Sequence, residues 1–214
     1  MILGAAVLVF GGASCRRDLD LSLPSENDLY AYCQAVAVRA GRLVPEERAR
    51  GLLLKGKVEQ RFRRTDRALD LFDEALDIDP NLSEAYVQKG FILSQRTERH
   101  SEAIETYEQA LRIDPRAPGV KTRLGLIYQH QSRLEEAERV LRKEIAEDTG
   151  SAATYYHLAQ TLALLDRHEE AIASYRDAIA LDAGDRMFYY GLSKSLLRVG
   201  RTEEGDQALA KFRE

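Results

Sequence analysis

The chain has 214 residues and a net charge of −4, with 44% hydrophobic and 31% charged residues. That apolar fraction excludes a disordered chain, and two cysteines exclude both a disulfide scaffold and a four-cysteine zinc site. The acidic balance argues against a nucleic-acid binder, which usually carries a basic excess.

Residues 1–14, MILGAAVLVFGGAS, contain no charge. As a helix they would reach only ~21 Å, short of the ~30 Å hydrocarbon core, so they predict a signal segment rather than a membrane span. Gly12-Ala13-Ser14-Cys15 resembles the lipobox of bacterial lipoproteins, in which the cysteine is lipidated and becomes the mature N-terminus. Ser14 and Ala13 fit that pattern. Gly12 stands where the family prefers Leu, and no basic residue precedes the apolar run. The resemblance implies lipidation of Cys15, and so a protein tethered to a membrane of the bacterial cell envelope. An ordinary cleaved signal, or a buried segment with an incidental cysteine, are the other readings. In the last case Cys15 could pair with Cys33.

Residues 15–25 read as a tether. Residues 26–48 predict a capping helix and the start of the next one. Ser25 caps, acids fill the first turn, and Leu29, Cys33, Val36 and Ala40 form an apolar stripe. Gly41 stops that helix, and Pro45 suits the first turn of another.

From residue 49 the chain repeats. Residues 75–80 read ALDIDP and residues 110–115 read ALRIDP, and Pro80 and Pro115 are 35 residues apart. The chain divides into repeats at 49–82, 83–117, 118–151, 152–185 and a short 186–214. A first small position holds Gly56, Gly90, Gly125, Ala159 and Ser193, and a second holds Ala68, Ala103, Ala137, Ala171 and Gly205. A bulky residue follows four places later: Phe72, Tyr107, Leu141, Tyr175 and Leu209. Small residues let two helices approach, and the bulky one fills the space beside them. This pattern and period resemble the tetratricopeptide repeat, or TPR. The resemblance implies an all-α fold: a right-handed superhelical solenoid of about five helix pairs, A and B, with an N-terminal capping helix. The tryptophan of the family pattern is replaced by Leu52, Tyr86, Lys121, Tyr155 and Tyr189. Lys121, and Glu144 where alanine is usual, mark repeat three as the most divergent. Repeat two has one extra residue in the turn 96–101.

Motifs for catalysis, phosphate binding or cofactors are missing from the sequence. His100, His130, His157 and His168 lie at no metal-ligating spacing, so neither a metal nor a cofactor is expected. Paired acids, Glu135-Glu136, Glu169-Glu170 and Glu203-Glu204, fall in the first turn of helix B in repeats three to five, where they complement the helix dipole.

The resemblance also places the second, fifth, sixth, ninth, twelfth and thirteenth residues of each repeat on the concave face. Six of these are basic (Arg50, Lys57, Arg61, Arg123, Lys194 and Arg198), against one acid, Glu84. The candidate groove residues are Lys57, Gln60, Arg61, Gln88, Gln95, Arg123, Gln129, His130, Tyr156, His157, Gln160, Tyr190 and Lys194. Amide, cationic and tyrosine side chains in one groove suit a peptide, and an acidic one in particular. The chaperone-binding carboxylate clamp of the family is not matched, since its lysine and asparagine positions hold Leu53 and Lys57. The expected function is a non-enzymatic scaffold for a protein partner. An accessory subunit of an envelope or cell-wall enzyme complex, and a soluble cytosolic adaptor, are the alternatives.

Overall fold

The computed structural model describes residues 45–147 and 150–214. The signal, the tether, Cys15, Cys33 and the capping helix expected over 26–40 lie outside them. Among the described residues ten α-helices follow one another in antiparallel pairs: α1 (Pro45–Arg61) with α2 (Thr65–Ile78), α3 (Ser83–Ser94) with α4 (His100–Ile113), α5 (Val120–His130) with α6 (Leu134–Ala146), α7 (Ala152–Leu164) with α8 (His168–Leu181), and α9 (Arg186–Arg198) with α10 (Thr202–Arg213). Each pair packs on the next, and the odd-numbered helices also touch one another, so the stack is a solenoid. No described helix is long and apolar enough to cross a membrane.

The small positions do what their spacing predicts. Ala68, Ala103, Ala137, Ala159 and Ala171 are fully buried. A Cβ added to Gly90 would lie 2.7 Å from the Tyr107 ring, and one on Gly125 2.7 Å from Leu141. Phe72 stands against Gly56 in the same way. In the short fifth repeat Ser193 takes the small position, and its hydroxyl donates to the Gly205 carbonyl at 2.7 Å.

The A–B turns share one geometry in four repeats. Arg63, Ser132, Asp166 and Gly200 have φ between 59° and 80°. In each, the turn N–H bonds back three residues and the next N–H bonds back five, as Ser132 to Gln129 and Arg133 to Tyr128 do at 2.9 Å. This is a Schellman closure, which satisfies the last carbonyls of helix A. Repeat two departs from it at the extra residue: a 3-10 turn over Thr97–Arg99 replaces the left-handed residue.

The apolar core falls into two clusters. One runs from Leu53 to Ala137 and the other from Leu141 to Ala208, with Val140 packed against both. The division lies in α6, and a polar joint sits beside it. Glu144, 1% exposed, accepts from the Gly119 N–H at 3.1 Å and from the Thr122 hydroxyl, and Thr122 in turn lies 2.8 Å from Thr154 of α7. Glu144 thus serves the N-terminus of α5, whose own cap, Gly119, has no side chain to offer. The Lys121 ammonium, also buried, donates to the Pro115 carbonyl and to Glu147, both at 2.6 Å. The two residues that read as divergence are a built network.

Candidate binding groove

A large concavity, about 740 Å³, lies over α5, α7 and α9. Its floor is held by side chains that bridge neighbouring helices. Gln129 Nε2 donates to the His157 carbonyl at 2.8 Å and lies 2.6 Å from Thr161 Oγ1. Gln160 bridges two neighbours, with its Oε1 3.0 Å from His157 Nδ1 and its Nε2 donating to the Tyr156 hydroxyl at 2.9 Å. Tyr156 then stacks at 5.0 Å on Phe188 and at 6.0 Å on Tyr175. The glutamines therefore set the positions of the rings.

Lys194 and Arg198 line the α9 side, His130 the α5 side, and Leu164, 63% exposed, stands between as an apolar contact. No Asp or Glu lines this concavity. Burial pushes the His157 imidazole below its ordinary value, with His130 acting in the same direction, so His157 is neutral near pH 7. Burial pushes the Tyr175 phenol up, which keeps it a neutral hydroxyl.

A smaller pocket of about 210 Å³ adjoins it, lined by Gln95, His100, Arg123 and His130 among others. There the Arg123 guanidinium lies 4.4 Å over the Phe91 ring, and His100 meets His130 edge-on at 5.9 Å. All four histidines thus reach the concave surface. Among the described residues no group of three His, Cys, Asp or Glu is placed to hold a metal ion.

The structure divides the candidate residues. Gln129, His130, Tyr156, His157, Gln160 and Lys194 line the large concavity, while Gln95 and Arg123 line the small one. Lys57, Gln60, Arg61 and Gln88 line neither. Lys57 is ion-paired to Glu84 at 2.8 Å, which takes that lysine out of the expected basic strip. Tyr190 is also outside the concavity: it stacks on Phe212 of α10 at 5.1 Å. His168 and Tyr175 line the groove although they belong to a helix B. The Tyr175 ring extends past its own repeat, and a Cβ on Gly191 of α9 would meet its hydroxyl at 2.6 Å. That glycine, opposite a tyrosine one helix back, is the signal that could have found it.

Sequence reasoning also missed a ladder on the B helices. The residue capping each helix B is arginine in every repeat, and in four repeats it meets the glutamate three residues on: Arg99–Glu102, Arg133–Glu136, Arg167–Glu170 and Arg201–Glu204. Each pair holds its glutamate below the ordinary carboxylate range. Arg167–Glu138, Arg142–Glu170 and Arg176–Glu204 carry the ladder across repeat boundaries.

Ten helices in stacked antiparallel pairs, with a glycine or alanine seam in each pair, define an α-helical repeat scaffold. Residues 94–162 match one tetratricopeptide-repeat family profile and residues 152–185 a second. The chain is a TPR protein. Such proteins generally mediate protein–protein interaction, and the family is generally non-enzymatic. Solved structures share the fold. MamA from Desulfovibrio magneticus RS-1 is 19% identical, with a TM-score of 0.69 over 77% of this chain and 93% of its own. PilF from Pseudomonas aeruginosa is 18% identical, with a TM-score of 0.69 over 79% of this chain and 77% of its own. YrrB, described as a TPR protein with an unusual peptide-binding site, is 20% identical, with a TM-score of 0.63 over 76% of this chain and 83% of its own. No curated protein matches the chain by sequence.

Proposed function

We propose that the concave surface of repeats three to five captures an extended acidic segment of a protein partner. The observation that carries this reading is the lining of the large concavity: two cations, Lys194 and Arg198, and no carboxylate. Extended peptide offers backbone amides to Gln129, Gln160 and Tyr156, an apolar side chain to Leu164, and acids to the α9 cations. The chain acts as a scaffold rather than an enzyme, since none of these side chains forms a nucleophile–base pair. A fluorescein-labelled decapeptide of alternating Glu and Leu is the test, beside its Gln-for-Glu counterpart. The acidic peptide should bind at least roughly tenfold tighter, and should weaken as salt screens the charges. Equal binding of the two peptides would remove the acidic-partner reading.

The scaffold is further proposed to be an envelope lipoprotein held to a membrane through Cys15. What supports this is the apolar run ending in Gly12-Ala13-Ser14-Cys15. Several acyl chains, each contributing about 0.8 kcal/mol per buried CH₂, would hold it there. Intact-mass analysis of the membrane-extracted protein should show an acylated Cys15 as the first residue. An unmodified Met1 in the cytosolic fraction would refute it.

A further inference from the structure

Among the described A–B turns, that of repeat two alone lacks a left-handed residue, because its extra residue is taken up by the 3-10 turn Thr97–Arg99. That turn builds one wall of the small pocket of about 210 Å³: Gln95 and Thr97 line it, and so does His100, the first residue of α4. Arg123 and His130 of α5 form the other wall. Leu126 and His130 line the large concavity as well, so the two spaces are continuous.

The contents of the small pocket suit an anion. No Asp or Glu lines it, and Arg123 has no carboxylate partner among the described residues. The guanidinium lies face-on over the Phe91 ring at 4.4 Å, which leaves the N–H groups of its edge for an oxyanion. The same place in the other repeats holds Leu54, Gln88, His157 and Gly191, so this cation belongs to repeat three alone. His100 is 6% exposed, and its Nε2 donates to the Ser94 carbonyl at 3.2 Å, which fixes the ring in the wall. Beside Ser94 and Arg123 stands the Tyr107 hydroxyl, on a fully buried side chain and without a hydrogen-bond partner among the described residues. A buried hydroxyl of this kind costs free energy unless an acceptor reaches it.

The distance to the α9 cations sets a length. Neighbouring helices pack ~8–10 Å apart, so α5 and α9, with α7 between them, stand ~16–20 Å apart. An extended chain rises ~3.3 Å per residue and crosses that span in about six. We propose that the small pocket is a second carboxylate subsite, so that the partner segment carries two acids about six residues apart, an inference that rests on reading the groove as a peptide site. One acid meets Arg123, with the Tyr107 hydroxyl beside it, and the other meets Lys194 and Arg198. An apolar residue midway between them lies on Leu164 of α7.

The test uses the full chain and two labelled peptides of one composition, each with two Glu and one Leu in a Gly–Ser chain. They differ only in whether the Glu stand at that spacing with Leu midway, or side by side. At low salt the spaced peptide should bind roughly tenfold tighter than the other. Arg123→Gln should abolish that difference. Tyr107→Phe, which keeps the ring against Gly90, should weaken the spaced peptide roughly threefold without lowering the urea midpoint. Helical circular dichroism of each variant checks that it folds. A spaced peptide that binds no tighter than its counterpart, or an advantage that survives Arg123→Gln, would overturn the subsite. If the Glu–Leu decapeptide then still outbinds its Gln counterpart, the groove stands without the subsite; if it does not, both fall.

Discussion

In repeats one and two the concave lysine, Lys57, is neutralised by Glu84 at 2.8 Å, whereas in repeats three to five Lys194 and Arg198 have no carboxylate partner among the described residues. The packing differs in the same sense. Gly56 and Gly90 receive aromatic rings, and among the described residues the helices A of these repeats carry no buried polar tie like that of repeat three, whose Gly125 receives Leu141. From repeat three onward the A helices are tied by Glu144, Thr122 and Thr154, and by Gln129 to α7. The comparison teaches that one repeat frame supports two kinds of seam. The polar seam fixes the spacing of α5 and α7, the helices that make the groove floor, while the apolar seam closes the helix pairs of repeats one and two.

The largest effect should come from Glu144→Ala. Alanine is what the equivalent places hold in Ala75, Ala110 and Ala178, so the change looks like a return to the family pattern. It leaves the Gly119 N–H and the Thr122 hydroxyl without their buried acceptor, and should cost about 2–4 kcal/mol in urea denaturation. A stabilised variant would mean that the polar joint is dispensable. Next, Gly90→Ala presses a methyl into the Tyr107 ring and should cost about 1–3 kcal/mol, which tests the apolar seam.

A smaller effect follows from pH. His157 is held below its ordinary value of 6.5 in the folded protein. Below about pH 6.5 the unfolded chain therefore takes up a proton that the native state refuses, and stability falls as pH drops. His157→Gln should flatten the stability profile between pH 7 and the mid-acid range, and an unchanged profile would show that the imidazole is not neutral there. The glutamates paired to Arg99, Arg133, Arg167 and Arg201 add a separate loss at lower pH, as they protonate below 4.5. The smallest expected change is a gain. Ser132 turns at φ 59°, so Ser132→Gly should add about 0.5–1 kcal/mol. Gly200 already occupies the same place in repeat five.

Much of the fold was legible because its constraints are local and periodic. Gly56, Ala68 and Phe72 meet within a single helix pair, so their spacing alone declares the contact. The extra residue of repeat two was visible for the same reason, and it produced the 3-10 turn. The groove was less legible because its charges depend on contacts between repeats. Lys57 reads as a groove cation in the sequence because its partner, Glu84, stands on the next helix A. Tyr190 stands outside the groove because its ring stacks on Phe212 of α10, a contact between two helices that the repeat frame does not show. Lys121 and Glu144 read as departures, since their hydrogen-bond partners, Pro115, Gly119 and Thr122, lie on other turns. The Arg–Glu ladder was within reach, as the two residues are three apart. The acids read as partners of the helix dipole alone until the arginine capping each helix is set beside them.

The contrast between paired and unpaired cations is tested most directly by titrating the labelled Glu–Leu decapeptide into three proteins at low salt. These are the unaltered chain, Lys57→Glu, and the double variant Lys194→Glu with Arg198→Glu. The account predicts at least roughly tenfold weaker binding for the double variant and less than about a twofold change for Lys57→Glu. Equal losses in the two, or a loss confined to Lys57→Glu, would contradict it.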